Sequence, residues 1–317
     1  MIRNDNPSSL APDSSIEGTE SNCQQAWGLQ RLDIQACWQR GFSGAGIRVG
    51  HLDTGVDGTH PSLRSRLVEF VEFDSDGFSI PAAQPKDSGS HGTHTAGIIC
   101  GTSCNNQQIG VAPNAELYSG MVIEGGKCLV RVLAGLDWML DCKVRVLCIS
   151  LGLPVYNPLF EIILSRMKKA GILVIAPAGN RGAGRTCSPA NYPGVVAVGA
   201  INPNDKVARF SGSQLFTRTT DSLKPNLVAP GIDIPSAKPG GGLQIRSGTS
   251  MAAAHVAGVA ALLFQAKANA TAGEVEEALL TTCTPLPESG ERRYGRGLIN
   301  PVKALDAILT TRQRKAE

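Results

Sequence analysis

Three residues far apart in this 317-residue chain have the types that acyl transfer by a hydroxyl requires: Asp53, His91 and Ser250. Such an attack needs a base to take the hydroxyl proton and a carboxylate to orient and stabilise the resulting imidazolium. Ser250 opens the apolar half of SGTSMAAAHVAGVAALL (residues 247–263), where a small, polar turn feeds into a buried helix. The bare amides of a helix's first turn would stabilise an oxyanion forming beside Ser250. The same position also suits a cap, and Ser247, Thr249 or Ser250 could fill that role. His91 lies in SHGTHTAGIICG, with Ser90 placed to cap a helix and His94 three residues on. Two histidines on one helical face can hold a metal, but no acidic partner of the HExxH kind accompanies them, so a catalytic base is the better functional reading of His91. Asp53 ends the run GIRVGHLD, and could either face a site from the strand's tip or cap the turn that follows.

These side chains depend on their supporting elements. Strand and helix signals alternate: strands over residues 116–123, 144–150, 172–175 and 195–201, helices over 34–40, 129–140, 160–170, 272–281 and 302–309, and the segment NLVAPG before a turn at 239–242. Alternation of this kind predicts an α/β fold with a parallel sheet and crossover helices. The runs VRVLCIS and ILVIA are continuously apolar, as strands covered on both faces should be. Gly44 and Gly46 suggest a dinucleotide fingerprint, but they precede their strand, whereas that fingerprint follows a strand and opens a helix. No internal repeat or linker interrupts the chain. The expected organisation is a tail over residues 1–22, one domain over 23–311 and a short basic tail over 312–317 carrying Arg312, Arg314 and Lys315.

Composition removes several classes. A chain with 42% hydrophobic and 18% charged residues has the make-up of an ordinary globular protein. A net charge of +3, dispersed along the chain, gives no basis for a nucleic-acid or anionic-membrane partner. The first residues lack the apolar core of a signal peptide, and no later run is read as reaching about 18 uncharged residues, so neither a leader nor a membrane span is expected. The nine cysteines lie mostly in apolar runs, among them Cys37, Cys100, Cys128 and Cys148, and an odd number cannot all pair. A reducing, cytoplasmic location is the expectation. Cys100 with Cys104, or Cys142 with Cys148, would make half a zinc site, but neither pair has a matching second pair.

The wording around the three residues is more specific than their types. HLDTGVDGTHPSL, SHGTHTAGIICG and SGTSMAAAHVAG resemble the three active-site motifs of the subtilisin-like serine proteases, the subtilases. GVAP at 110–113, SLG at 150–152, APAGN at 176–180 and NLVAPG at 226–231 extend the resemblance over about residues 27–309. The resemblance implies a three-layer sandwich with a mostly parallel central sheet. It also implies that Asp53 orients the imidazole, that His91 is general base and then acid, and that Ser250 is acylated. Asn180 then supplies an oxyanion-hole amide, a donor typically worth about 3 kcal/mol of barrier. Ser150, Leu151, Gly152, Ala178 and Gly179 would line the cleft and receive an extended peptide by strand addition. His51, His60, His94 and His255 are left as structural.

Two departures qualify that resemblance. Many subtilases have proline before the histidine of the serine helix, where this chain has Ala254, leaving the first turn less rigid. Many calcium-binding members have HPDL where this chain has HPSL, and the hydroxyl of Ser62 is a poor substitute for a carboxylate on a hard cation. No cofactor is therefore expected, with calcium the one in question. The expected activity is a serine endopeptidase acting on peptide or protein substrates. The alternatives are a dedicated precursor-processing protease and a non-hydrolysing peptide-binding scaffold; intact Asp53, His91, Ser250 and Asn180 argue against the scaffold.

Overall fold

The computed structural model describes residues 24–124, 128–153, 156–286 and 290–310; the two expected tails lie outside the described residues. Seven strands form the central sheet: β2 (Arg48–Asp53), β3 (Leu67–Glu72), β5 (Glu116–Met121), β6 (Val146–Ile149), β7 (Leu173–Pro177), β8 (Val196–Ile201) and β11 (Leu227–Pro230). Two-stranded pairs join β1 (Gln24–Gln25) to β4 (Gln107–Gln108), β9 (Gln214–Leu215) to β10 (Leu223–Lys224), and β12 (Ile234–Ala237) to β13 (Leu243–Arg246). The described helices are α1 (Trp27–Arg31), α2 (Ile34–Gln39), α3 (His91–Cys100), α4 (Cys128–Asp141), α5 (Pro158–Lys169), α6 (Thr249–Ala266), α7 (Ala272–Thr281), α8 (Glu291–Tyr294) and α9 (Pro301–Thr310).

The sheet runs β11-β8-β7-β6-β2-β5-β3, and every neighbouring pair is parallel. Helices cover both faces. One apolar cluster gathers α6, α3 and α9 with residues such as Val49, Cys148 and Ile175; the other gathers α4 and α5 with Leu52, Leu147 and Val174. Adjacent residues of one strand thus enter different clusters, which is why the strands read as unbroken apolar runs. This is the three-layer α/β sandwich expected. The strand Leu67–Glu72 has no counterpart among the sequence-based expectations. It forms the sheet's edge beside β5, with Val68 and Glu69 exposed and Leu67 and Phe70 half-buried against the core, so its pattern is mixed.

From β2 the chain crosses to β3 and β5 on one side, then to β6, β7, β8 and β11 on the other. Strand order therefore reverses at β2. In an open parallel sheet the crevice beyond the carboxyl ends of the strands at such a reversal is where ligands bind. Asp53 is the last residue of β2 and is fully buried.

Helix α6 overturns the expectation that no uncharged run reaches membrane-spanning length. Its 18 residues contain no charged side chain, so an apolar run of membrane-spanning length does exist. Residues Thr249 to Phe264 are all buried, and the helix runs through the core against α3, β7 and β8. A helix that is apolar all round must be enclosed on every side, here by protein. Ala254 is fully buried within it.

Candidate active site

Asp53 receives a hydrogen bond on every side that its neighbours can supply. The Thr54 amide donates to Oδ1 at 2.6 Å, the Thr95 hydroxyl lies 3.0 Å from Oδ2, and His91 Nδ1 lies 2.7 and 2.9 Å from the two oxygens. An ionised carboxylate can only accept, so His91 Nδ1 carries a proton and Nε2 of the neutral ring keeps its lone pair. Burial works against the charge on Asp53, yet the charge and hydrogen bonds of His91, with His51 close by, prevail and hold the carboxyl well below the usual carboxylate range. For His91 burial likewise opposes the charge, and the charge and hydrogen bond of Asp53 outweigh it, leaving the imidazole pKa above its ordinary 6.5. About a quarter of the His91 side chain is exposed (25%), whereas Asp53 has none, so the dyad opens to solvent through the imidazole alone.

The start of α3 is built differently from the expectation. Ser90 occupies the N-cap position in a left-handed conformation (φ 63°), but its side chain makes no capping bond. Asp87 caps instead. Its Oδ1 accepts from the amides of Gly89 and Ser90 at 3.0 and 2.9 Å, and its Oδ2 from the amide and hydroxyl of Thr93 at 2.7 and 2.6 Å. Thr54 Oγ1 accepts from the Gly92 amide at 2.9 Å and donates to Asp87 Oδ1 at 2.7 Å, tying the residue after Asp53 to the helix that presents His91. The Ser90 hydroxyl accepts from Arg246 at the end of β13, which brings the start of α6 beside the start of α3.

Ser250 lies in the first turn of α6 and is 9% exposed. The N-cap position falls on Gly248, with no side-chain cap, so the cap reading of Ser247, Thr249 and Ser250 does not hold. Ser247 instead bonds Asp233 across the hairpin. Thr249 donates its amide and its hydroxyl to Asn180 Oδ1, at 3.0 and 2.9 Å. The donors that Asn180 retains are on Nδ2, and a Cβ at Gly248 would stand 3.5 Å from that nitrogen. Asn180 itself is exposed.

The five expected cleft residues divide into two sets. Ser150, Leu151 and Gly152 follow the end of β6 and precede the antiparallel bridge between Leu153 and Ser188; Ser150 and Leu151 are buried and Gly152 is exposed. Ala178 and Gly179 already spend their backbone groups within the protein. The Ala178 amide donates to Val198 and its carbonyl accepts from Cys187, while the Gly179 amide donates to Thr249 Oγ1 and its carbonyl accepts from Gly212. Gly179 has φ +100°, which a side chain would strain. A Cβ there would also lie 2.7 Å from Cys187 Sγ, and one at Gly152 would lie 3.3 Å from the same sulfur. Cys187 thus borders both cleft glycines. Nothing in its local sequence, RTCSPAN, points there, because the contact is made only when residues 150–152, 178–180 and 187–188 come together.

The remaining histidines are enclosed. His94 Nε2 meets the carbonyls of Ile234 and Gln244, His60 Nε2 that of Gly242, and His255 Nδ1 that of Met251. Burial lowers both His94 and His255 to about 4, so both stay neutral and part of the structure. The cysteines among the described residues are free. Burial pushes Cys100, Cys142 and Cys148 up to about 12, which keeps them as thiols. Ser62 is fully buried and its hydroxyl donates to the Ser103 carbonyl at 3.3 Å.

Residues 44–297 match the sequence model of the Subtilase family. Subtilisin E of Bacillus subtilis (strain 168) is 34% identical over 283 residues, covering 86% of this chain and 69% of its own. The alkaline protease of Alkalihalobacillus alcalophilus is 36% identical over 280 residues, 86% of this chain and 68% of its own. Subtilisin Savinase of Lederbergia lenta is 35% identical over 280 residues, 86% of this chain and 96% of its own.

Proposed function

This chain belongs to the subtilase family and is a serine-type endopeptidase, and we propose that Asp53, His91, Ser250 and Asn180 carry its hydrolysis of peptide bonds. The observation that supports these roles is the Asp53–His91 pair: a buried carboxylate holding Nδ1 of a partly open imidazole. In this reading His91 Nε2 takes the Ser250 proton as Oγ attacks the scissile carbonyl. The oxyanion of the tetrahedral intermediate meets the Ser250 amide, at the positive end of α6, and Asn180 Nδ2. His91 then gives its proton to the leaving amine, and water, activated by the same imidazole, hydrolyses the acyl-enzyme. Family membership sets aside the non-hydrolysing scaffold.

The substrate is a peptide or protein, and we place its strand addition along Ser150 to Gly152, since Ala178 and Gly179 commit their backbone groups internally. No calcium is included at Ser62, whose hydroxyl is turned to a carbonyl and brings no carboxylate. The free described cysteines support a reducing, cytoplasmic setting. Labelling with a fluorophosphonate probe tests the chemistry: wild type is expected to label and Ser250→Ala, folded by its melting curve, is not. Equal labelling of both would remove Ser250 as nucleophile.

A further inference from the structure

One buried titratable group next to the dyad has no role in the chemistry just described. His51 stands two residues before Asp53 on β2, so the two side chains leave the same face of the strand. It has no exposure, and neither do its neighbours Ser119, Thr95 and Asp53. His51 Nδ1 lies 2.9 Å from Ser119 Oγ on β5, and Nε2 lies 2.9 Å from Thr95 Oγ1 on α3 and 3.6 Å from Asp53 Oδ2.

The direction of this chain follows from counting protons. Thr95 Oγ1 has three other polar neighbours: Asp53 Oδ2 at 3.0 Å, the Gly92 carbonyl at 3.1 Å and the His91 carbonyl at 3.2 Å. All three can only accept, and the charged carboxylate is the strongest acceptor among them; with the hydroxyl proton directed at Oδ2, Oγ1 accepts from His51 Nε2. With the ring proton on Nε2, Nδ1 accepts from the Ser119 hydroxyl. A Thr hydroxyl in a helix otherwise gives its proton to a carbonyl in the preceding turn. Donation from His51 into its oxygen polarises the O–H and strengthens its bond to the carboxylate. The titratable surroundings are few. Cys148 of β6 is opposite His51 in register and stays a thiol, its pKa pushed by burial to about 12. His91 begins α3 one turn before Thr95, and His255, the titratable residue of α6, is bonded to its own helix. Helix α4 lies on the opposite face, its Met139 against Gly50 and its Gly135 against Leu52.

We propose that His51 is a positioning residue of the reaction: through Thr95 it keeps a hydrogen-bond donor on Oδ2 of Asp53 and so sets how strongly that carboxylate holds protonated His91. The inference rests on the Asp53–His91–Ser250 reading. Without the donor, the negative charge on Asp53 is less dispersed, imidazolium at His91 is held more tightly, and the base is freed only at higher pH.

The test is the pH profile of peptide hydrolysis. His51→Val is expected to lower kcat roughly tenfold at neutral pH, the scale of one hydrogen bond to a charged group, with KM unchanged and the acid limb of kcat/KM moved upward. His51→Gln, which can place an N–H near the Nε2 position, should restore both. Thr95→Val should reproduce the His51→Val profile, and the double variant should be no worse than either. A folded His51→Val with wild-type kcat and acid limb overturns the proposal, as does His51→Gln as impaired as His51→Val. Should His51→Val fail to fold, Ser119→Ala keeps the question open to refutation: it frees the tautomer and should move the limb upward, and an unmoved limb overturns the idea. Wild type that does not label at Ser250 with the fluorophosphonate sinks the triad reading itself, a result separate from any of these.

Discussion

Asn180 is useful to an oxyanion only if its amide faces the right way, and Thr249 decides that. An amide side chain beside a helix start could present either end, but the Thr249 amide is a donor and must meet the oxygen. The nitrogen is then the end that remains. Asn180→Ala is expected to lower kcat roughly a hundredfold with KM near wild type, the usual cost of one oxyanion donor. Steady-state kinetics on a peptide substrate checks this, and an unchanged kcat would take Asn180 out of the oxyanion hole. At the same scale, Cys187 shows how a residue with no motif of its own comes to lie beside Gly152 and Gly179, two of the residues expected to line a cleft.

The two functional helices are fixed by different devices. Helix α6 is anchored by burial along its length, so its first turn is held from behind by the core. Helix α3 is held at its start by one carboxylate: Asp87 satisfies the Gly89, Ser90 and Thr93 amides and the Thr93 hydroxyl. Four such bonds at the positive end of a helix exceed an ordinary single cap. Asp87→Ala is therefore expected to cost about 1–2 kcal/mol of stability and to lower activity as well, because His91 is the first residue of the helix it secures. Chemical denaturation together with kcat measures the two effects. Loss of stability with full activity would mean that α3 keeps its register without Asp87. Elsewhere helix ends follow the familiar sequence signals, as in the capping box of Thr271 and Glu274 and the Asn157 cap ahead of Pro158.

For the molecule as a whole, the reversal of strand order at β2 brings the tips of the central strands and the starts of α3 and α6 to one side of the sheet. The chain supplies one buried cation among the described residues. Lys224 has no exposure and gives its ammonium to the Val195 carbonyl, Asp221 and Asn226 at 2.6, 2.7 and 2.9 Å, joining the approach to β8 with that to β11. The Ser62 hydroxyl is bonded to the Ser103 carbonyl and offers a hard cation no carboxylate. A chelator is accordingly expected to leave the melting temperature unchanged, measured by calorimetry with and without added calcium. A large fall on chelation would require a calcium site among residues other than Ser62.

The sequence by itself determined the fold class and the approximate strands and helices of the central layers, and it singled out Asp53, His91, Ser250 and Asn180 as the residues we propose to act. Those are legible because continuous apolar runs encode buried strands, and because chemistry at a helix start or strand tip needs particular residue types in a short window. It misassigned the cap of α3, overlooked the 18-residue uncharged run of α6 and left β3 unmarked. Only the tertiary structure decided which of several local hydroxyls and carboxylates does the capping, which backbone groups of the cleft are already spent, and that His51 reaches Asp53 through Thr95. The Asp87 cap is made within six residues, but the contacts of His51 with Thr95 and of Asn180 with Thr249 span 44 and 69. Distances of that kind are set by how layers pack, and no local pattern of residue types records them.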